Sequence, residues 1–156
     1  MSDSIAAAFR VMVTGTNGTA YQHLQYMPWG EPLLDQRKSG YTYNTRYTFS
    51  GKERDEETGY SYFGARHRHS GSAGTSALSL WLSVDPMADK YPSTSPYTYC
   101  ANNPVRLVDP DGREWVIGNE KYNPGQTYEG NDKEVAAIWS KMKKIYATAL
   151  GKKRRF

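Results

Sequence analysis

A chain of 156 residues with 13% aromatic and 38% hydrophobic content is expected to hold one domain and leaves no room for a multidomain enzyme. Ile, Leu, Val and Phe supply only 23 residues, against 13 Tyr, 14 Gly and 8 Pro; this argues against a helical bundle or a doubly wound α/β enzyme, and for a β-rich, tyrosine-lined object that needs a neighbour to complete its core. The net charge of +4 is uneven: residues 141–156 hold seven basic residues and no acid, so the remaining 140 sum to −3, which weakens a whole-protein nucleic-acid reading.

Residues 1–10 read as a flexible leader, without the basic start and apolar stretch of a signal peptide. Asn17-Gly18 is a hairpin signal between Arg10–Thr16 and Thr19–Met27. Pro28 to Pro32 is a second break. Tyr41, Tyr43, Tyr47 and Phe49 all occupy odd positions, and a period of two predicts four rings on one face of a strand pair. Gly51 to Gly59 is a charged reversal, after which Tyr60 and Tyr62 resume the alternation. The theme of aromatic strand and polar turn returns at a spacing of about 20 residues, a degenerate repeat.

Ser70–Ser79 reads as a flexible Gly/Ser/Ala loop. Leu80 to Val84 is expected as a short buried strand, and Tyr97-Thr98-Tyr99 as another. The lone cysteine, Cys100, excludes a disulfide within the chain and any multi-cysteine metal site. Asn102-Asn103-Pro104 and Asp109-Pro110-Asp111-Gly112 are strong turn sequences. Beyond Gly112, Trp115-Val116-Ile117 is a candidate strand. Val135, Ile138, Trp139, Met142, Ile145, Tyr146 and Ala149 follow helical spacing, predicting one helix over about 132–150. Asn131 or Asp132 can cap its start, and Gly151 suits its C-cap. The fold expected is mainly β, short antiparallel strands and turns with one C-terminal helix. No apolar run reaches the roughly 18 residues of a membrane span.

The run Tyr47 to Arg66 resembles the Rhs repeat-associated core domain. So do Leu82-Ser83-Val84-Asp85-Pro86, Ser95-Pro96-Tyr97-Thr98-Tyr99, Asn102-Asn103-Pro104 and Val108-Asp109-Pro110-Asp111-Gly112, in the same order. Val11 to Glu31 resembles the last of the Tyr-Asp repeats that precede that core. The resemblance implies a core over 11–112 and a truncated variable C-terminal segment over 113–156. In such proteins the repeats wind a β-strand shell, the core plugs one end, and a C-terminal toxin is cut free by an aspartyl-protease-like pair. Carried over by motif, the catalytic pair is Asp85 and Asp109, and the cut falls beside Arg113 and Glu114. The chemistry is that of two carboxylates sharing a proton, one activating water while the other polarises the scissile carbonyl. The implied partner is the shell, or a toxin or immunity chain.

Three features depart from the family pattern. His67-Arg68-His69 replaces an aromatic pair and Asp, Ser70–Ser79 replaces a short Gly-Arg turn, and Arg113 stands where an apolar residue is usual. The residues alone leave other readings open. Asp-Pro is also ordinary turn chemistry. His67 and His69 are spaced for half a metal site, but only His23 remains to complete it, and an exposed edge is the simpler reading. No cofactor or metal is expected. The tyrosine-rich surface also suits a non-enzymatic module that pairs with other strands. The basic helix end suits nucleic acid or an acidic membrane, or a solvated helix covering the core.

Overall fold

The computed structural model describes residues 9–70 and 79–153, with side chains described through residue 148. Residues 1–8 of the leader expected over 1–10, most of the loop expected over 70–79 and the end of the basic tail therefore lie outside the described residues.

Three strands form the first sheet, in the order β1 (Arg10–Thr14), β2 (Ala20–Tyr26), β3 (Pro32–Arg37), all antiparallel. The hairpin predicted at Asn17-Gly18 is present. Gly18 takes φ +78°, a left-handed turn conformation that costs glycine little, and the Asn17 side chain accepts from the Thr19 amide at 3.1 Å. On β2, Gln22, Leu24 and Tyr26 face inward while the alternate residues are half-buried.

The tyrosines that follow do not continue as strands. Residues 41–46 have no regular structure, and Tyr43 and Tyr47 are each 57% exposed, whereas Phe49 is buried. Tyr41 stacks on Tyr21 at 5.0 Å and meets Tyr43 edge-on at 6.1 Å, so these rings pack among themselves on the surface rather than lining one buried face. Tyr47 contributes only an isolated bridge to Glu53.

A second small sheet follows, in the order β4 (Glu53–Arg54), β5 (Tyr60–Tyr62), β6 (His67–His69). His67 and His69 lie on β6, packed against Tyr62 and Tyr60 rather than on a loop edge. The strand expected over Leu80–Val84 reduces to one bridge between Trp81 and Arg68. Trp81 is buried, but Leu82 and Val84 are exposed, because backbone pairing stops there and the chain turns into Asp85-Pro86. Residues 97–99 also form a turn and no strand, yet Tyr99 is buried.

Cys100, Ala101 and Asn102 are all left-handed, with φ of 47°, 48° and 59°. The turn is closed by the Asn102 and Asn103 amides donating to the carbonyls of Tyr99 and Cys100. Cys100 is fully buried, and burial pushes its thiol well above the ordinary cysteine range. Three consecutive left-handed residues that are not glycine are strained, at roughly 1–2 kcal/mol each.

The last part packs onto the same core. β7 (Val116–Ile117) and β8 (Glu120–Lys121) form a hairpin, and Val108 bridges Val116. The helix α1 spans Lys133–Lys153. Asp132 caps it, its carboxylate accepting from the amides of Glu134 at 2.8 Å and Val135 at 3.1 Å. The helix runs through Gly151 instead of stopping before it. No helix among the described residues is long and apolar enough to cross a membrane.

Aromatic rings do the work that aliphatics do elsewhere. Tyr26, Phe49, Tyr99, Phe63 and Trp81 form one contiguous set of edge-on contacts. Tyr91, Trp115, Tyr122 and Trp139 form a second, opened by a 4.3 Å stack of Tyr91 on Trp115. The fold is thus mainly β, in small antiparallel sheets with one C-terminal helix.

Candidate functional site

The two aspartates singled out by motif meet at a third residue. Arg66 follows the bend after β5, and its side chain is fully buried. Its Nη2 lies 3.0 Å from Oδ2 of Asp85 and 3.4 Å from Oδ2 of Asp109. The fold therefore closes a 24-residue separation around one guanidinium. Arg66 ends the run Tyr47 to Arg66 that carries the family resemblance, and the sequence alone assigns it no role. The available signal was charge balance: two carboxylates buried together require a cation or a shared proton.

Each carboxylate is also held by backbone. Asp85 Oδ1 accepts from the Met87 amide at 2.7 Å. Asp109 Oδ1 accepts from the amides of Gly112 at 2.6 Å and Asp111 at 3.3 Å. These are the turn bonds expected of Asp-Pro sequences, so turn chemistry and site assembly are the same act here. Asp85 is 6% exposed and Asp109 fully buried.

Burial decides the protonation of Asp109. Loss of solvent pushes its carboxyl up to about 7, against the opposing pull of Arg66 and the Gly112 amide. Burial also pulls the Arg66 guanidinium down, while both aspartates pull it back up. Protonation of Asp109 leaves the Arg66 guanidinium with one fewer buried negative charge beside it.

The guanidinium reaches further. Arg66 Nε donates to the carbonyl oxygen of Gly112 and Nη1 to that of Pro96, at 2.5 and 3.1 Å. Its plane lies over the Trp81 ring, 4.1 Å from the centroid. Gly112 is buried with φ +75°, and a Cβ there would sit 3.1 Å from the Arg66 backbone nitrogen and 3.4 Å from Phe63 Cβ. The left-handed φ and the close Arg66 backbone both favour glycine at this position.

Arg113, the next residue, is exposed. Its amide donates to Oδ1 of Asp111 at 3.0 Å. Glu114 is partly buried and pairs with Lys90 at 2.9 Å and Lys121 at 3.0 Å. These partners hold its carboxyl below the ordinary range. Of the residues expected at the cut, Arg113 therefore adjoins the cluster through Gly112, while Glu114 belongs to a separate surface ion pair. Among the described residues no group of three or more His, Cys, Asp or Glu could hold a metal ion.

No protein-family model matches the chain. It is 35% identical over 131 residues to the tRNA(Glu)-specific nuclease WapA of Bacillus subtilis subsp. natto, covering 77% of this chain and 5% of that protein. It is 32% identical over 111 residues to the tRNA nuclease WapA of Bacillus subtilis strain 168, covering 70% of this chain and 4% of that protein. It is 35% identical over 112 residues to the toxin subunit YenC2 of Yersinia entomophaga, covering 70% of this chain and 10% of that protein. The chain thus spans no more than a tenth of these relatives. These relatives are two tRNA nucleases and a toxin subunit, and the chain is related to a short segment of each.

Proposed function

We propose that this chain is an Rhs core segment of a polymorphic-toxin-type protein, and that it cuts its own Gly112–Arg113 peptide bond once. The core covers residues 11–112 and the segment it releases begins at Arg113. The observation that carries this reading is the Gly112 carbonyl, held by the same guanidinium that joins Asp85 to Asp109.

The roles follow from charge. Asp85, paired with Arg66 at 3.0 Å, takes a proton from water as the water oxygen bonds to the Gly112 carbonyl carbon. Arg66 Nε–H meets the negative charge that develops on the carbonyl oxygen. Asp109, neutral below about pH 7, gives its proton to the Arg113 nitrogen as the C–N bond breaks. The products are a carboxyl group on Gly112 and an amine on Arg113. A single turnover requires no resetting of the pair. The partner in this reading is the shell of the parent protein or a toxin-type chain, and no cofactor enters.

The intact mass of freshly purified protein at neutral pH, beside Asp109→Asn, tests it. Wild type should lose residues 113–156 while the variant stays whole. Both remaining at 17.6 kDa would sink the proposal. Neutral pH is essential, because the Asp85-Pro86 and Asp109-Pro110 bonds are chemically fragile in acid.

A second reading, a module that pairs with other strands, has one observation in its favour. Among the described residues β1 and β3 each pair on one side only, and Met12 and Leu33 are 58% and 61% exposed there. It predicts concentration-dependent association of an uncut chain.

A further inference from the structure

We propose that Asp111 is a positioning residue for the leaving nitrogen, and that its charge holds the new amino group of Arg113 after the bond is cut. The inference rests on the self-cleavage reading and adds a role that the aspartate pair does not supply.

The Gly112–Arg113 peptide is gripped from both sides. Its carbonyl oxygen accepts from Arg66 Nε, and its N–H donates to Asp111 Oδ1 at 3.0 Å. The same Oδ1 accepts from the Glu114 amide at 3.2 Å. Asp111 cannot swing away easily. Its own carbonyl accepts from the Ala65 amide at 3.0 Å, its amide donates to Asp109 at 3.3 Å, and the preceding Pro110 carbonyl accepts from Lys52 Nζ at 2.6 Å.

The energetic argument is differential. In the uncut chain Asp111 faces only an amide dipole. The nitrogen takes the Asp109 proton and keeps the electron pair of the breaking C–N bond to become an amine, which then takes a second proton from solvent to become an ammonium. A carboxylate gains more from a full positive charge than from a dipole, so the contact strengthens along the reaction. The titratable groups around it are Arg66, Lys52 and Lys121, with Asp109 and the Lys90-paired Glu114. Lys90 and Lys121 neutralise Glu114, which leaves Asp111 as the carboxylate bonded to the Arg113 nitrogen.

Asp111→Asn separates charge from turn geometry, because the amide oxygen still accepts both backbone bonds. The full chain and this variant are compared by thermal midpoint and by the rate of self-cleavage. The expected result is an unchanged midpoint with cleavage slowed about tenfold. Asp111→Ser, which also keeps an accepting oxygen, should slow cleavage equally and guards against a folding defect peculiar to Asn. A second readout is the titration of the Arg113 amino group in the cut chain, followed by its rate of amine labelling against pH. It should lie above the ordinary α-amino range of about 7.7–8.0 in wild type and within it in Asp111→Asn. Wild-type cleavage with Asp111→Asn cutting at the same rate would overturn this inference alone. A wild type that never cuts would overturn the self-cleavage reading and this inference with it.

Discussion

The sheet β1–β3 and the stretch from Phe63 to Gly112 reach order by different routes. In the sheet, backbone ladders run for five to seven residues, and the outer strands leave large apolar side chains in solvent. Among the described residues from Phe63 to Gly112 the only strand is the three-residue β6. Yet this stretch contains Arg66, Arg68, Trp81, Tyr99, Cys100, Leu107 and Asp109, each no more than 2% exposed. The sheet is regular and lightly buried; the centre is irregular and densely buried. Irregular backbone exposes polar groups that regular structure would pair, so the centre satisfies them with side chains instead. Arg66 bonds two backbone carbonyls, and Arg68 donates to the Trp29 carbonyl. Both guanidiniums cover aromatic faces, Arg66 over Trp81 and Arg68 over Tyr99 at 4.0 Å.

The sharpest test of that contrast is Trp81→Ala. Trp81 meets Phe63 at 5.1 Å, Tyr99 at 5.6 Å and the Arg66 guanidinium, so its loss should destabilise the fold by about 3–5 kcal/mol in urea titration. A loss below about 1 kcal/mol would mean that the sheet, not the centre, carries stability.

The second test uses pH. Asp109 in the fold titrates at about 7, against the ordinary 3.8 of an unfolded aspartate. A carboxyl raised by folding binds its proton more tightly in the native state. Its contribution is therefore complete below about 3.8 and is lost as pH rises through about 7. Wild type should lose stability between pH 5 and pH 8 relative to Asp109→Asn, measured as the slope of the urea midpoint. Parallel slopes would place Asp109 outside the buried electrostatics.

The smallest effect expected is at the left-handed turn. Ala101 holds φ 48°, so Ala101→Gly should stabilise the fold by about 1 kcal/mol despite removing a methyl group. A loss of stability would mean that Ala101 packing outweighs its backbone strain.

How much was legible in the sequence follows the same division. The Asn17-Gly18 hairpin, the Asp132 cap and the helical spacing of Val135, Ile138, Trp139 and Met142 are local signals, and they were read correctly. Tyr41 to Phe49 misled, because period two is necessary for a strand but not sufficient: the segment pairs only through the Tyr47–Glu53 bridge to β4, Tyr41 packs on Tyr21 and Tyr43 at the surface, and Phe49 turns into the core. Leu80–Val84 misled similarly, since a short apolar run carries no information about where pairing ends. At the site, the motifs pointed to Asp85 and Asp109, but Arg66 has no local signature that separates it from any other arginine. Its role arises from three segments converging, which only the fold specifies.

Cys100 turns this architecture into its own reporter. With no exposed surface and a thiol held in its neutral form, it cannot react with a disulfide reagent while the centre stays closed. Every modification event must therefore wait for an opening. The rate of thiol capture in native buffer reads how often the aromatic centre breathes, in a chain that carries one cysteine and needs no added label.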